Sequence, residues 1–358
     1  MPAHEVDEKR SMRTSIPLIL LGLQFTFLQV VKAPGEKPAS VTISAVGDMM
    51  IGSWSGDLLR EHGPTYPFVL VAPYLQGSDV ATGNLEGPHC TTGTADTKTY
   101  TYRMAPQLLD GYAWAGFDVL SLANNHAMDF GPQCMLENIA EIRKRGMEVC
   151  GGGADIDEAH EPTVIVRNGL SIAFLCYSTT FPESAWATPE QPGTAFPERN
   201  RLIRSVRSAA AEHDVVVVQF HWGEQGRTSP KDYQVGLAHL VVDNGADLVV
   251  GHHAHVLLGV EAYKGKLIFY GLGNFTFASF AETAKTSVIA LVTLDDQGNL
   301  VRGEVMPINV DNHQVELQPI PLPGDPEVLS ELRDASAMIG RGTTPPEIDD
   351  EGTIHLPH

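Results

Sequence analysis

Side chains able to bind a metal recur at the ends of apolar runs in this chain. Leu248-Val-Val-Gly251 leads straight into His252, His253, Ala254 and His255. Neutral imidazole is the commonest nitrogen ligand of borderline divalent cations, and His253 and His255 form the better pair, with His252 as a neighbour. Residues 41–46 end in Gly47-Asp48, 80–83 in Asn84-Leu-Glu86, 119–123 in Asn124-Asn-His126, and 215–220 in His221-Trp-Gly223. An amide oxygen from Asn124-Asn125 suits a hard or borderline cation and leaves a nearby imidazole free for proton transfer. Each group also has a plainer explanation: a His-rich surface turn, a strand-end turn tolerant of Asn, a solvated carboxylate, a satisfied core histidine. Together they point to a metal centre, because unrelated surface residues need not all fall at strand ends.

The elements that must position these groups follow from periodicity. Strands are expected over 41–46, 79–83, 117–123, 148–150, 214–220 and 248–250. Helices are expected over 106–115, 131–145, 200–212 and 230–244. In 131–145, Met135, Ile139 and Ile142 share a face and Gly146 supplies the cap. Later strands read as hairpins: 163–166 with 170–177 around Asn168-Gly169, 259–263 with 267–270, and 287–294 with 301–309. Residues 91–101 and 180–198 read as loops, 323–339 ends in a helix, and 353–356 is a candidate last strand. Parallel β/α units followed by hairpins predict an α/β fold of two mixed sheets packed as a sandwich and flanked by helices. Ligands in such folds gather at the carboxyl ends of strands.

Composition narrows the partners. In 358 residues, 24 Lys and Arg stand against 44 Asp and Glu, a net charge of -20. That field repels nucleic acid and anionic membrane surfaces. An anionic substrate needs a local cation, which a metal supplies. Cys90, Cys134, Cys150 and Cys176 form no CxxC pair, which argues against a structural zinc knot; they permit disulfides without revealing connectivity. Cys176 reads as a small buried hydrophobe. Lys9, Arg10 and Arg13 precede a mostly apolar stretch over 16–31, interrupted by Gln24, Thr26 and Gln29. This reads as a secretory signal or short signal anchor, with a buried helix as the third reading. The expected organisation is a signal or anchor plus linker over 1–38, a main domain over 39–310, and a C-terminal extension with a short helix and tail over 311–358. An extracytoplasmic location follows, secreted or membrane-anchored, with the membrane touched only through the N-terminal segment.

Taken in order, and with Gly271-Leu-Gly-Asn-Phe275, these motifs resemble the capsule-synthesis CapA family, associated with poly-γ-glutamate capsule production within the calcineurin-like metallophosphatase superfamily. The resemblance spans residues 41–309 and implies a metallophosphatase-like αββα four-layer fold. It implies Asp48 and Glu86 as carboxylate ligands, Asn125 as the amide ligand, and His221, His253 and His255 as imidazole ligands. His126 would be the unligated acid/base. One or two divalent ions (Mn, Zn, Ca or Fe) are the implied cofactor. Dinuclear relatives carry a histidine where this chain has Met50, and an aspartate where it has Glu86, so one metal position should be incomplete or need another ligand. Asn84, Asn124, Arg103 and His252 are the candidate substrate contacts, Arg103 as a clamp for an anion. The leading expectation is a metal-dependent enzyme acting on an anionic capsule polymer, or on an amide- or phosphate-linked precursor. The alternatives are a non-catalytic tethered partner of membrane polymer-synthase subunits, a metal-dependent peptide epimerase, and a general phosphoesterase.

Overall fold

The computed structural model describes residues 39–340 and 342–357. The signal or anchor expected over 1–38 lies outside the described residues. The chain builds two large mixed sheets. Along the first run Glu347–Ile348, Thr353–His355, Leu300–Asn309, Thr286–Asp295, Ser40–Met50, Val80–Leu85, Val119–Ser121 and Glu148–Cys150. Asn274–Phe277 pairs in parallel with Ser40–Met50 off this path. The second sheet runs Leu257–Tyr263, Lys266–Leu272, Leu248–His252, Val215–His221, Leu170–Ser178, Thr163–Arg167. Its central strands are parallel, and antiparallel hairpins close both edges.

The valine-rich strand Val215–His221 shows why the layers stack. Successive side chains of a strand point to opposite faces. Val215 and Val217 join Val41, Ile43 and Val80 between the sheets. Val216, Val218 and Phe220 pack outward on Leu202 and Val206 of helix Arg199–Glu212 and on Ala238 and Val241 of helix Asp232–Val242. A strand covered on both faces has no reason to alternate with polar residues, hence the unbroken apolar run. On the far side of the first sheet, Val46, Leu85 and Leu120 pack against Leu109 and Tyr112 of helix Leu109–Ala115 and Met135 and Ile139 of helix Gly131–Arg143. The result is the expected order of helices, sheet, sheet, helices.

All three expected hairpins form, the first with Asn168 and Gly169 at φ of 53° and 78° in its turn. Asn274–Phe277 was not expected as a strand. Residues 311–358 are more than a tail: Val328, Leu329 and Leu332 of helix Pro326–Ala337 sit in the core between the sheets, and Thr353–His355 pairs with Leu300–Asn309. Cys90 and Cys134 form a disulfide, whereas Cys150 and Cys176 are buried free thiols. Among the described residues no helix is long and apolar enough to cross a membrane.

Candidate metal centre

Strand ends from both sheets meet at one edge of the sandwich. In the first sheet Asp48 lies in register with Asn84 on one side and Asn274 on the other. Gly47 makes this possible: a Cβ there would stand 1.9 Å from the Gly273 carbonyl oxygen, which instead accepts the Asp48 N–H at 3.0 Å. In the second sheet His252 lies in register with His221, and a Cβ on the preceding Gly251 would stand 2.0 Å from the Tyr270 carbonyl oxygen. The chain then turns through His253 and His255 at φ of 89° and 58°, a left-handed conformation rare for these residues. The His253 N–H donates to Asp48 Oδ2 at 3.0 Å and so joins the two sheets.

Two sets of ligand atoms converge here. Glu86, His221 and His253 form one set, and Asp48, Glu86 and His255 the other, each with its ligand atoms within 4.8 Å of one another. Glu86 belongs to both. Its Oε1 is buried without a hydrogen-bond partner, 3.7 Å from His255 Nε2, 4.0 Å from His221 Nε2 and 3.9 Å from His126 Nε2. A buried carboxylate oxygen left unpaired costs free energy unless a cation meets it. The carboxylate and imidazole donors fit a borderline divalent ion. Asn125 Oδ1 lies 2.7 Å from His221 Nε2, and Asn274 Oδ1 lies 2.9 Å from His255 Nδ1, so each set has an amide oxygen at hand. Met50 contributes to neither. The strand bulges between Asp48 and Met50, whose Sδ accepts the Gly52 N–H at 3.3 Å while its side chain packs in the apolar layer.

His126 stands beside both sets. Its Nδ1 is 2.7 Å from Asp129 Oδ2. A carboxylate oxygen accepts hydrogen bonds, so this contact favours the proton on Nδ1 and leaves Nε2 facing Glu86. Lys98 pairs with the same Asp129 and donates to the Asn125 carbonyl.

Burial dominates the electrostatics. It pushes Glu86 up to about 8, reinforced by the nearby charge of Asp48. Burial also opposes a charge on His255, yet Glu86 and Asp48 together push that imidazole up to about 9. For Asp48 burial acts upward, but the His255 contact outweighs it and holds the carboxyl below its usual range. Burial drives His253 down to about 3 and His252 to about 4, and holds His221 well below the usual histidine value. His221 and His253 are therefore neutral imidazoles with lone pairs to give.

The centre opens onto two cavities. One, of about 610 Å³, is bordered by His126, His255, Asn274, Lys98 and Tyr100. The other, of about 620 Å³, is bordered by His253, Thr179, Phe181, Lys231 and Tyr233. Asn125 belongs to both walls. Among the described residues no Asp or Glu lines either one, in a chain of net charge -20.

All seven expected ligand and acid/base positions (Asp48, Glu86, Asn125, His126, His221, His253 and His255) come together. The four expected substrate contacts do not border either cavity. Arg103 is exposed and lays its guanidinium over the Phe130 ring, 4.2 Å from the centroid, a cation–π contact that holds it away from the centre. His252 is buried behind Asp48, its Nε2 3.1 Å from Gln219 Oε1. Asn84 donates to Asp48 Oδ1 at 2.8 Å and to Glu86 Oε2 at 3.3 Å, and Asn124 donates to Asn84 Oδ1 at 3.0 Å. Both amides are spent orienting the carboxylates. Sequence reasoning missed Asp129, Lys98 and Asn274. Asp129 stands three positions after His126, and Asn274 follows the strand Lys266–Leu272, where a strand-end search would find it.

Residues 42–279 match the model of the family described as bacterial capsule synthesis protein PGA_cap. The chain is 31% identical over 329 residues to the capsule biosynthesis protein CapA of Bacillus anthracis, covering 89% of this chain and 78% of that one. It is 31% identical over 317 residues to the PGA biosynthesis protein CapA of Bacillus subtilis, covering 86% and 82%. Among solved structures it is similar to a novel phosphatase from Mycoplasma pneumoniae, with a TM-score of 0.48 and 14% identity, covering 82% and 98%.

Proposed function

The chain belongs to the bacterial capsule synthesis protein family, and from that premise we propose that it is a metal-dependent hydrolase acting on an anionic capsule polymer of the poly-γ-glutamate type, or on an amide- or phosphate-linked precursor of it. The observation that carries this reading is the unpartnered Glu86 Oε1 at the meeting point of two ligand sets, beside a histidine in neither. Glu86, His221 and His253, with Asn125, would hold one ion. Asp48, Glu86 and His255, with Asn274, would hold a second. Bound there, a divalent cation supplies Lewis acidity toward a carbonyl or phosphoryl oxygen and lowers the pKa of water.

The rest of the chemistry belongs to the chain. His126, fixed by Asp129, accepts a proton at Nε2 and returns it to the leaving group. Lys98 fixes Asp129 and the Asn125 backbone, which keeps the proton-transfer pair in register with the ligands. Walls free of carboxylates admit a polyanion that the remaining surface repels. The relatives' names support a place in capsule or PGA biosynthesis. We place the reaction outside the cytoplasm, beside membrane polymer-synthase subunits, with residues 1–38 as signal or anchor.

The test is to incubate manganese-loaded protein with high-molar-mass poly-γ-glutamate and follow chain length and free amine. Shortening that His126→Ala abolishes while metal content stays unchanged is the expected result. Intact polymer, with no phosphate released from p-nitrophenyl phosphate either, would contradict the enzymatic reading and favour a non-catalytic subunit.

A further inference from the structure

We propose that the substrate engages as an internal stretch of an extended chain laid across the centre, one arm in each cavity, and that Tyr100 and Phe181 are the platforms that grip its two halves. The inference rests on the polymer reading above and specifies how the polymer is held. Three observations carry it. First, one histidine of each ligand set stands in the wall of a different cavity: His255 in the first and His253 in the second, with Asn125 in the wall of both. A site built for a chain end needs one deep pocket and a closed far wall, whereas this centre has open volume of similar size, about 610 and 620 Å³, on either side.

Second, the two most exposed large aromatic side chains among the described residues border these cavities. Tyr100 is 69% exposed beside the first and Phe181 is 71% exposed beside the second. Phe181 lies against the Trp186 ring, 6.1 Å between centroids, which steadies one face of the pair while both side chains stay open to the cavities. A ring face suits the methylene and amide groups of a polyamide backbone. Third, the lining of each cavity includes one lysine and no carboxylate of its own: Lys98 in the first and Lys231 in the second. Asp129 holds Lys98 and Glu224 holds Lys231, whose Nζ lies 2.9 Å from Glu224 Oε2, so the ammonium groups are fixed in position and a passing carboxylate meets them only by sharing the ion pair.

The experiment measures fluorescence anisotropy of end-labelled γ-glutamate oligomers, 3 and 12 residues long, on manganese-loaded protein. Wild type is compared with Tyr100→Ala, Phe181→Ala and the double variant. Both side chains are largely exposed, so folding is retained, and elemental analysis checks that each variant holds as much metal as wild type. The expected result is that each single change weakens the 12-residue oligomer about 3- to 10-fold and that the double change multiplies the two losses. The 3-residue oligomer responds to at most one of them. Silence of either residue toward the longer oligomer, confirmed with Lys231→Gln on the Phe181 side, would overturn the two-armed arrangement and leave the polymer reading standing. Failure of both oligomers to bind metal-loaded wild type would overturn the polymer reading, and this inference with it.

Discussion

Glu86 Oε1 and His255 Nε2 stand 3.7 Å apart, beyond hydrogen-bond range, and that carboxylate oxygen is buried with no other partner. The same oxygen is 4.0 Å from His221 Nε2 on the opposite sheet. His221 Nε2 in turn meets His253 Nδ1 at 2.9 Å and Asn125 Oδ1 at 2.7 Å, so the donors of this set crowd around the open Glu86 oxygen. Asn84 makes the placement rigid, since its amide bridges Asp48 and Glu86 and its own oxygen is held by Asn124. The family relationship says which proteins share this sequence pattern; the convergence of Glu86 with both sheets is what supports the proposed cation.

On the proposed role of His126 in proton transfer, its loss should spare the metal. His126→Ala is expected to lower kcat about 10²- to 10⁴-fold with unchanged metal content. Asp129→Asn should give a smaller loss, because the imidazole keeps a hydrogen-bond partner but loses the charge that orients it. Steady-state kinetics alongside elemental analysis checks both. Full activity in His126→Ala would remove this residue from the mechanism.

Metal binding should release protons. In the metal-free protein Glu86 is pushed up to about 8 and His255 to about 9, both against their usual values, so near pH 7 both carry protons that a cation must displace. Affinity is therefore expected to rise with pH from 6 to 9 and to fall away in acid. Titration calorimetry in buffers of different ionisation enthalpy reads the released protons directly. Affinity independent of pH would contradict the assignment.

Much of this centre was legible in the sequence because each ligand ends an apolar run. A strand end is a local signal, and Gly47 and Gly251 mark the two places where backbones pass too close for a side chain. The substrate contacts were not legible, since facing a cavity and facing a carboxylate look alike in one dimension. Asn84 and Asn124 turned out to serve Asp48, Glu86 and His126. Arg103 was drawn off by Phe130, 27 positions away in the chain (130 less 103), a tertiary contact with no sequence periodicity. The strand Asn274–Phe277 escaped notice because it is four residues long and pairs with a strand more than two hundred positions earlier.

The loop that carries Lys98 and Tyr100 should loosen in acid. Glu137 accepts four hydrogen bonds from Thr91 and Thr92, led by the Thr92 hydroxyl, which depress it to about 2. A lowered folded-state value means the contribution is fully present above the ordinary glutamate pKa and is lost as pH falls toward 2. Glu137→Gln is expected to lower the exchange protection of amides across 91–101 at pH 7 relative to wild type at the same pH. Unchanged protection would show that the Cys90–Cys134 disulfide and the Lys98–Asp129 pair hold the loop without Glu137.

The C-terminal helix should behave as core. Leu329 is fully buried between the sheets, so Leu329→Ala is expected to cost about 2–5 kcal/mol in denaturant unfolding. A loss below about 1 kcal/mol would mean the helix Pro326–Ala337 is dispensable packing.

The most direct measurement is metal stoichiometry by elemental analysis after manganese loading and desalting, in wild type and in Glu86→Gln. Because Glu86 serves both ligand sets, the substitution is predicted to weaken retention at both, leaving less than half of the wild-type metal, while circular dichroism stays that of the folded protein. Wild type that retains no divalent ion, or a Glu86→Gln variant that retains all of it, would contradict a cation held at the junction of the two sheets.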